Sequence, residues 1–282
     1  MKHSIFYKAL IAFTVVFASC DKYLTTPPLD MISEDQWWKN KGQVEMMVNN
    51  TYTCLFDDNE VVYSDCASDN AAHREGDIRL VANGTFDSQN SHVRRFWKYD
   101  KIAQLNYVLR GVEKARDYIT DEEYKLYGAQ IRFIRAMLYY DLLFYFGDVP
   151  LVTDVLSVDE SRQLTRTSRA EVLSFVLDEL ENKVLPGLQN AKVASGYINK
   201  HAAEALLTRI CLFEKKYDKA VQYADAVMNA GIYHLYDNYE MMFRPQTDGA
   251  NQEIIFERQY SYPLLVNALN RNLSANSSVY GG

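Results

Sequence analysis

No two cysteines in this chain have metal-ligand or redox spacing. Four occur, Cys20, Cys54, Cys66 and Cys211, with no CxxC and no Cys/His constellation, so zinc has no recognisable site. The G-x-S-x-G elbow, the HExxH helix and the glycine-rich phosphate loop are missing too, which removes the commonest nucleophilic, metallohydrolase and nucleotide-binding signatures. Acidic pairs such as Asp57-Asp58 and Glu122-Glu123 are adjacent in sequence, whereas glycoside hydrolysis needs two carboxylates facing each other across a cleft. Glu122 and Glu123 are explained by the dipole of the helix they open. Neither an enzyme, a metal nor a cofactor is indicated. Positive charge is short as well. The 30 Lys and Arg against 37 Asp and Glu leave a net charge of −7, which argues against nucleic acid as a partner.

The amino terminus carries a separate signal. Lys2 and Lys8 precede an apolar run from Ala9 to Ala18, and Phe17-Ala18-Ser19 leads into Cys20. This is the pattern of a secretory signal, too short for a stable transmembrane helix. A cysteine at the cut site points to lipidation at Cys20, with residues 1–19 removed and the net charge moving from −7 to −9 as the two lysines are lost. Several acyl chains on that cysteine would give lasting membrane attachment. Residues 20–32, with Pro27-Pro28, read as an extended tether between lipid and domain. Of the remaining cysteines, Cys54 and Cys66 could bridge in an oxidising compartment, while Cys211 sits in an apolar helical stretch as a buried thiol.

From Ser33 to about residue 235 the pattern is helical. Ser33 with Gln36, Thr120 with Glu123 and Ser168 with Glu171 have capping-box spacing. Val44, Val48 and Leu55 face inward on the first helix, and Ile102, Leu105, Asn106 and Val112 on another. Gly128 to Val152, GAQIRFIRAMLYYDLLFYFGDVPLV, is apolar on almost every face and is stopped by Gly147 and Pro150. Such a helix belongs inside a helical assembly. Arg132, Arg135 and Asp141 bar it from spanning a membrane and require partners in the bundle. Its aromatics, including Tyr139, Tyr140, Phe144 and Tyr145, are expected in the core. Asn199 to Gly231 reads as a tetratricopeptide-like hairpin, with Leu207, Ile210 and Phe213 facing Ala220 and Tyr223 around a turn at Lys215-Lys216. The fold class is therefore mainly α, a tetratricopeptide-like hairpin array with long loops and a few short strands. One strand is expected at Glu253–Glu257.

Residues 57–96 show little periodicity and are expected as a long functional loop. Residues 236–282 end in a polar, Asn- and Ser-rich stretch and read as the start of a truncated carboxy-terminal region.

Five blocks in order behind a lipoprotein signal carry a resemblance. They are Trp97-x-Tyr99-x-x-Ile102-x-x-x-Asn106, Arg132 to Val152, Arg166-Thr167-Ser168, the Asn199–Tyr233 hairpin, and Asn251-Gln252-Glu253-Ile254-Ile255-Phe256. Together they resemble the SusD/RagB-like outer-membrane lipoproteins. The resemblance implies an α-helical scaffold, lipid-anchored in the outer membrane and facing the exterior. Its partners would be a SusC-like TonB-dependent transporter and an oligosaccharide or polysaccharide ligand (a peptide in some branches), bound without chemistry. A ligand contact is implied in the 57–96 loop, where His73, Arg74, Phe86 and Asn90 are the candidates. The alternative is a tetratricopeptide-like interaction scaffold with no small ligand.

Overall fold

The structure, a computed structural model, describes residues 37–73, 76–189, 196–244, 251–260, 263, 265 and 266. The signal segment, Cys20, the tether, the Ser33 cap, Arg74 and residues 267–282 lie outside the described residues. The chain separates into residues 1–39 and 40–282. Of the first unit, Trp37, Trp38 and Lys39 are described, in a bend.

The second unit is helical, in the order α1 (Lys41–Thr51), α2 (Asp58–Cys66), α3 (Gly76–Ala82), α4 (Ser91–Arg94), α5 (Tyr99–Lys114), α6 (Asp121–Phe146), α7 (Val158–Arg162), α8 (Arg169–Asp178), α9 (Lys200–Phe213) and α10 (Tyr217–Met228). No helix among the described residues is long and apolar enough to cross a membrane. Strand content among them is confined to bridges such as Val149 with Thr167, and Glu253–Glu257 is irregular rather than a strand.

Local chemistry sets most helix ends. The Thr120 hydroxyl accepts from the Glu123 amide, and the Glu123 carboxylate accepts from the Thr120 amide, so both halves of that capping box form. Asp57 with Glu60 and Ser157 with Glu160 build the same box. Ser168 caps α8 through the Glu171 amide, and Asn199 caps α9 through the Ala202 amide. Gly147 stops α6 at φ 69°, a left-handed conformation that suits glycine. Asn40 opens α1, accepting from the Gln43 amide.

Helix α6 is the central post, with α1, α5, α8 and α9 packed around it. Ile131, Ile134, Leu138, Leu142 and Tyr139 are fully buried, and each large aliphatic so placed contributes about 1.5–3 kcal/mol. After α8 the helix widens into a π turn, Glu179–Val184, before a 3₁₀ turn, Leu185–Gly187. Gly187 lies so close to α6 that a Cβ would meet the Lys125 carbonyl oxygen at 2.6 Å. The α9–α10 hairpin forms as expected around Ala203, Leu207, Ile210, Ala220 and Tyr223, with Lys215 in a left-handed turn. Phe213, expected between the two helices, is exposed instead.

The widened turn places Glu179 in the core. Its Oε2 accepts from Arg135 Nη2 at 2.6 Å, and both side chains are almost wholly buried. Arg135 Nη1 donates to Asn106 Oδ1 at 2.7 Å and to the Thr153 carbonyl at 3.1 Å. Asn106 Nδ2 donates in turn to the Val152 and Asp154 carbonyls. The Tyr139 hydroxyl donates to Val152 O and accepts from Val152 N, while the Tyr99 hydroxyl donates to Pro150 O. On the other side, the Asp148 carboxylate accepts from the Arg169 amide, and its carbonyl from the Arg166 guanidinium. The blocks around Tyr99, Arg135, Gly147 and Arg166 therefore meet in one place, where side chains bond to the backbone of Asp148, Pro150, Val152, Thr153 and Asp154.

Residues 251–260 return to the start of the unit. Arg258 donates to Leu55 O at 2.7 Å, the Tyr260 hydroxyl accepts from the Asp58 amide at 3.0 Å, and Phe256 rests near Tyr52 and Phe133. Cys54, Cys66 and Cys211 are buried free thiols, so the bridge open to Cys54 and Cys66 does not form.

A second buried ionic group holds α2 to the start of α5. Lys98 Nζ lies 2.6 Å from Glu60 Oε1, with Lys101 3.8 Å from Oε2. Burial lowers the Lys98 pKa, and the Phe56 ring covers its ammonium at 3.9 Å. Asp141 Oδ2 is sealed from solvent without a hydrogen-bond partner. Burial pushes the Asp141 carboxyl from 3.8 up to about 7, against the pull of Lys98 and Arg209 and with the push of Glu60.

Two outcomes follow. Glu179→Ala leaves Arg135 buried without its counter-charge and is expected to cost about 3–5 kcal/mol, read as a lowered urea midpoint at unchanged slope. For Asp141 the folded pKa lies above the unfolded one, so its destabilising effect grows as pH rises from 3.8 to about 7 and is complete above that. Asp141→Asn should therefore raise Tm by several degrees at pH 8 and leave it nearly unchanged at pH 4; equal shifts at both values would remove Asp141 from the pH dependence.

Candidate functional site

The 57–96 segment, expected as one long loop, folds into α2, α3 and α4, with a small core of Val62, Cys66 and Ile78. Nine- and seven-residue helices carry too few turns for their periodicity to stand out in sequence. They form one wall of a cleft of about 290 Å³. Ser64 comes from α2 and Ala67 from its carboxy-terminal cap, Val81 from α3, Phe86 from the segment between α3 and α4, and His92 and Val93 from α4. Phe96 follows, and the opposite wall is Tyr145 and Phe146 at the carboxy-terminal end of α6.

The ring contacts are continuous. His73 meets Tyr63 edge-on at 5.2 Å, Tyr63 meets His92, and His92 meets Phe96 at 5.5 Å. Phe96 stacks at a tilt on Tyr145 at 4.3 Å, Tyr145 meets Phe144, and Phe144 meets Phe213 at 4.9 Å. Trp97 lies on Phe146 at 5.0 Å. Phe86 is 47% exposed, Phe144 47% and Tyr145 49%. The expectation that Phe144 and Tyr145 are core is thus corrected, while Tyr139 and Tyr140 are buried as expected. Phe144, Tyr145 and Phe146 are consecutive on a helix, and successive residues point about 100° apart. Three in a row span too wide an arc to face one core, which is the signal that could have found them.

The candidates from the sequence separate here. Phe86 stands on the cleft rim. His73 sits one ring behind, against Tyr63, and Arg74 lies outside the described residues. Asn90 is buried and committed to the segment's own fold. Its Oδ1 accepts from the His92 and Val93 amides, and its Nδ2 donates to Asp77 O. His92, Phe96, Tyr145 and Phe146 are lining residues that were not singled out. Burial and the nearby Arg95 lower the His92 pKa, so its imidazole is neutral at pH 7, with Nδ1 unpartnered.

The arrangement offers aromatic faces with few polar groups, the chemistry that meets the C–H faces of a sugar ring. Among the described residues no group of His, Cys, Asp and Glu could hold a metal.

Comparison with known proteins bears on this geometry. A SusD-like family model described as "Starch-binding associating with outer membrane" matches residues 29–212. A SusD-like protein P25 of Formosa agariphila is 24% identical over 86% of this chain and 49% of its own length. A SusD-like carbohydrate binding protein from Bacteroides fragilis has a similar structure, with a TM-score of 0.74 and 27% identity over 82% of this chain and 48% of that one. A laminarin binding SusD-like protein shares the fold at a TM-score of 0.64 and 21% identity, covering 72% of this chain and 48% of its own. The chain spans about half the length of these relatives. With the family match covering most of the described helices, α1 to α9, the chain belongs to the SusD-like family.

Proposed function

We propose that this chain is the helical portion of an outer-membrane surface lipoprotein. It captures an oligosaccharide at the aromatic cleft and hands it to a SusC-like TonB-dependent transporter. Binding is the whole of its chemistry, and no bond is made or broken. The observation that carries this reading is the cleft itself, which exposed Phe86 and Tyr145 line together with Phe146, Ser64 and His92. Family membership and the carbohydrate binding named for the Bacteroides fragilis relative support it.

The anchor rests on the Ala18-Ser19-Cys20 pattern. Lipidation there would hold the domain at the membrane face, and the Pro27-Pro28 tether would keep it clear of the lipid. A second reading, a protein-interaction scaffold, is favoured by Leu212, Phe213, Tyr217 and Val221, all exposed on the α9–α10 hairpin. Association with a transporter in the absence of any affinity for sugar would select it.

Titration with laminarin- and starch-derived oligosaccharides tests the cleft. Phe86→Ala and Tyr145→Ala should each weaken binding about tenfold, the scale of a lost aromatic contact. Unchanged affinity in both variants would sink the cleft as the site. For the anchor, Cys20→Ser should move the protein from the membrane to the soluble fraction and abolish the lipid mass increment; retention in the membrane would show that another segment holds it.

A further inference from the structure

The aromatic cleft encloses about 290 Å³, at the lower edge of the range for small-molecule pockets, about 300–1,000 Å³. That is room for one ring with a short arm, and too little to enclose an oligosaccharide. A longer ligand would lie across the rim, where Phe86 and Tyr145 are about half exposed, and send a single group inside.

No charged side chain lines the enclosed space, and only Ser64, His92 and Tyr145 bring polar side-chain atoms to it. The Ser64 hydroxyl donates to Glu60 O at 2.7 Å, so its proton is committed to α2. His92 is 3% exposed, with Nδ1 shut off from solvent. Tyr145 brings one hydroxyl to the opposite wall. A glucose-like ring carries a hydroxyl on most of its carbons, and each one moved out of water without a new partner costs free energy. Three polar side chains, one committed and one almost sealed, fall short of that demand. An aryl group makes no such demand. Its faces and edges suit the geometries that the lining rings already adopt, with Phe96 tilted on Tyr145 at 4.3 Å and His92 edge-on to Phe96 at 5.5 Å.

We propose that the enclosed part of the cleft receives a neutral aryl group, a phenyl or phenol ring carried as a substituent on the captured oligosaccharide, while the sugar itself stays at the rim against Phe86 and Tyr145. This rests on the cleft being the capture site, and adds the part of the ligand that enters it. The cleft then selects chains by their decoration. An arylated chain gains the buried ring contacts, and a bare one has the rim alone. A charged aryl acid is disfavoured, because its carboxylate would be buried with no cation in the lining.

Calorimetric titration of the full chain with phenol, para-nitrophenyl β-glucoside, methyl β-glucoside and acetyl-phenylalanine amide tests this. Phenol and the nitrophenyl glucoside should bind saturably, the latter at least about tenfold tighter than the methyl glucoside, the scale of one buried ring contact. Phe86→Ala, at an exposed position, should remove most of that preference with unchanged melting temperature. Val81→Phe, which fills the cleft with a ring of its own, should abolish phenol binding. Equal affinity for the two glucosides, or no phenol binding, overturns the aryl group and leaves oligosaccharide capture to stand or fall by its own titration. Tighter binding of acetyl-phenylalanine amide than of the nitrophenyl glucoside overturns it in favour of a peptide. Phenol binding untouched by both variants places the ring elsewhere and overturns the cleft as its site. Should Val81→Phe fail to fold, Phe86→Ala decides.

Discussion

A seven-residue stretch of chain, 148–154, crosses the interior edge of this bundle with almost no strand partner, and much of the rest follows from that. Its carbonyls and amides would be costly to bury unpaired. Tyr99, Asn106, Arg135 and Tyr139 reach in from α5 and α6 and bond to Pro150, Val152, Thr153 and Asp154. Arg135 can do so only because Glu179 balances its charge, and Glu179 arrives through the widened turn after α8. Replacing the ion pair with apolar residues could fill the space, but would leave these backbone acceptors without their donors. The network therefore ties three helices to one loop, and α6 cannot rotate or slide without breaking it.

That arrangement explains which parts were legible in the sequence. Caps are local: Thr120 with Glu123 forms the box its spacing indicates, and of the Ser168–Glu171 box the Ser168 half forms. The buried faces of α5 and α6 follow from their period, and Arg135 needed a partner by elementary electrostatics. Naming Glu179 as that partner was out of reach, because the π turn that swings it inward has no sequence signature. Phe144, Tyr145 and Phe213 failed for a different reason. Their residue type says core, but they sit at the ends of helices, where there is no further layer to cover them. Asn90 failed in the opposite sense, since a polar loop residue that looked free is consumed in capping α4. In the 57–96 segment, three short helices supply only a small core and lean on α5 and α6 for the rest, so each alone reads as loop.

Rings and buried charge share one end of α6. There, rings run from His73 to Phe213 with few charges among them. The ionic group of Glu60, Lys98 and Asp141 underlies the aromatic end and fixes α2, the helix that carries one of its walls. A surface held by buried charge gains definite shape at a cost in stability.

The return of residues 251–260 to Leu55 and Asp58 bears on how the chain assembles. The contacts that build the bundle, such as Asn106 with Asp154 or Arg135 with Glu179, close short stretches of chain, 48 and 44 residues apart. Arg258 with Leu55 closes 203. Loop-closure entropy rises with length, and contacts between distant residues form slowly. The helical post and its network can therefore mature before the returning segment is placed, and that segment then docks on a surface already made.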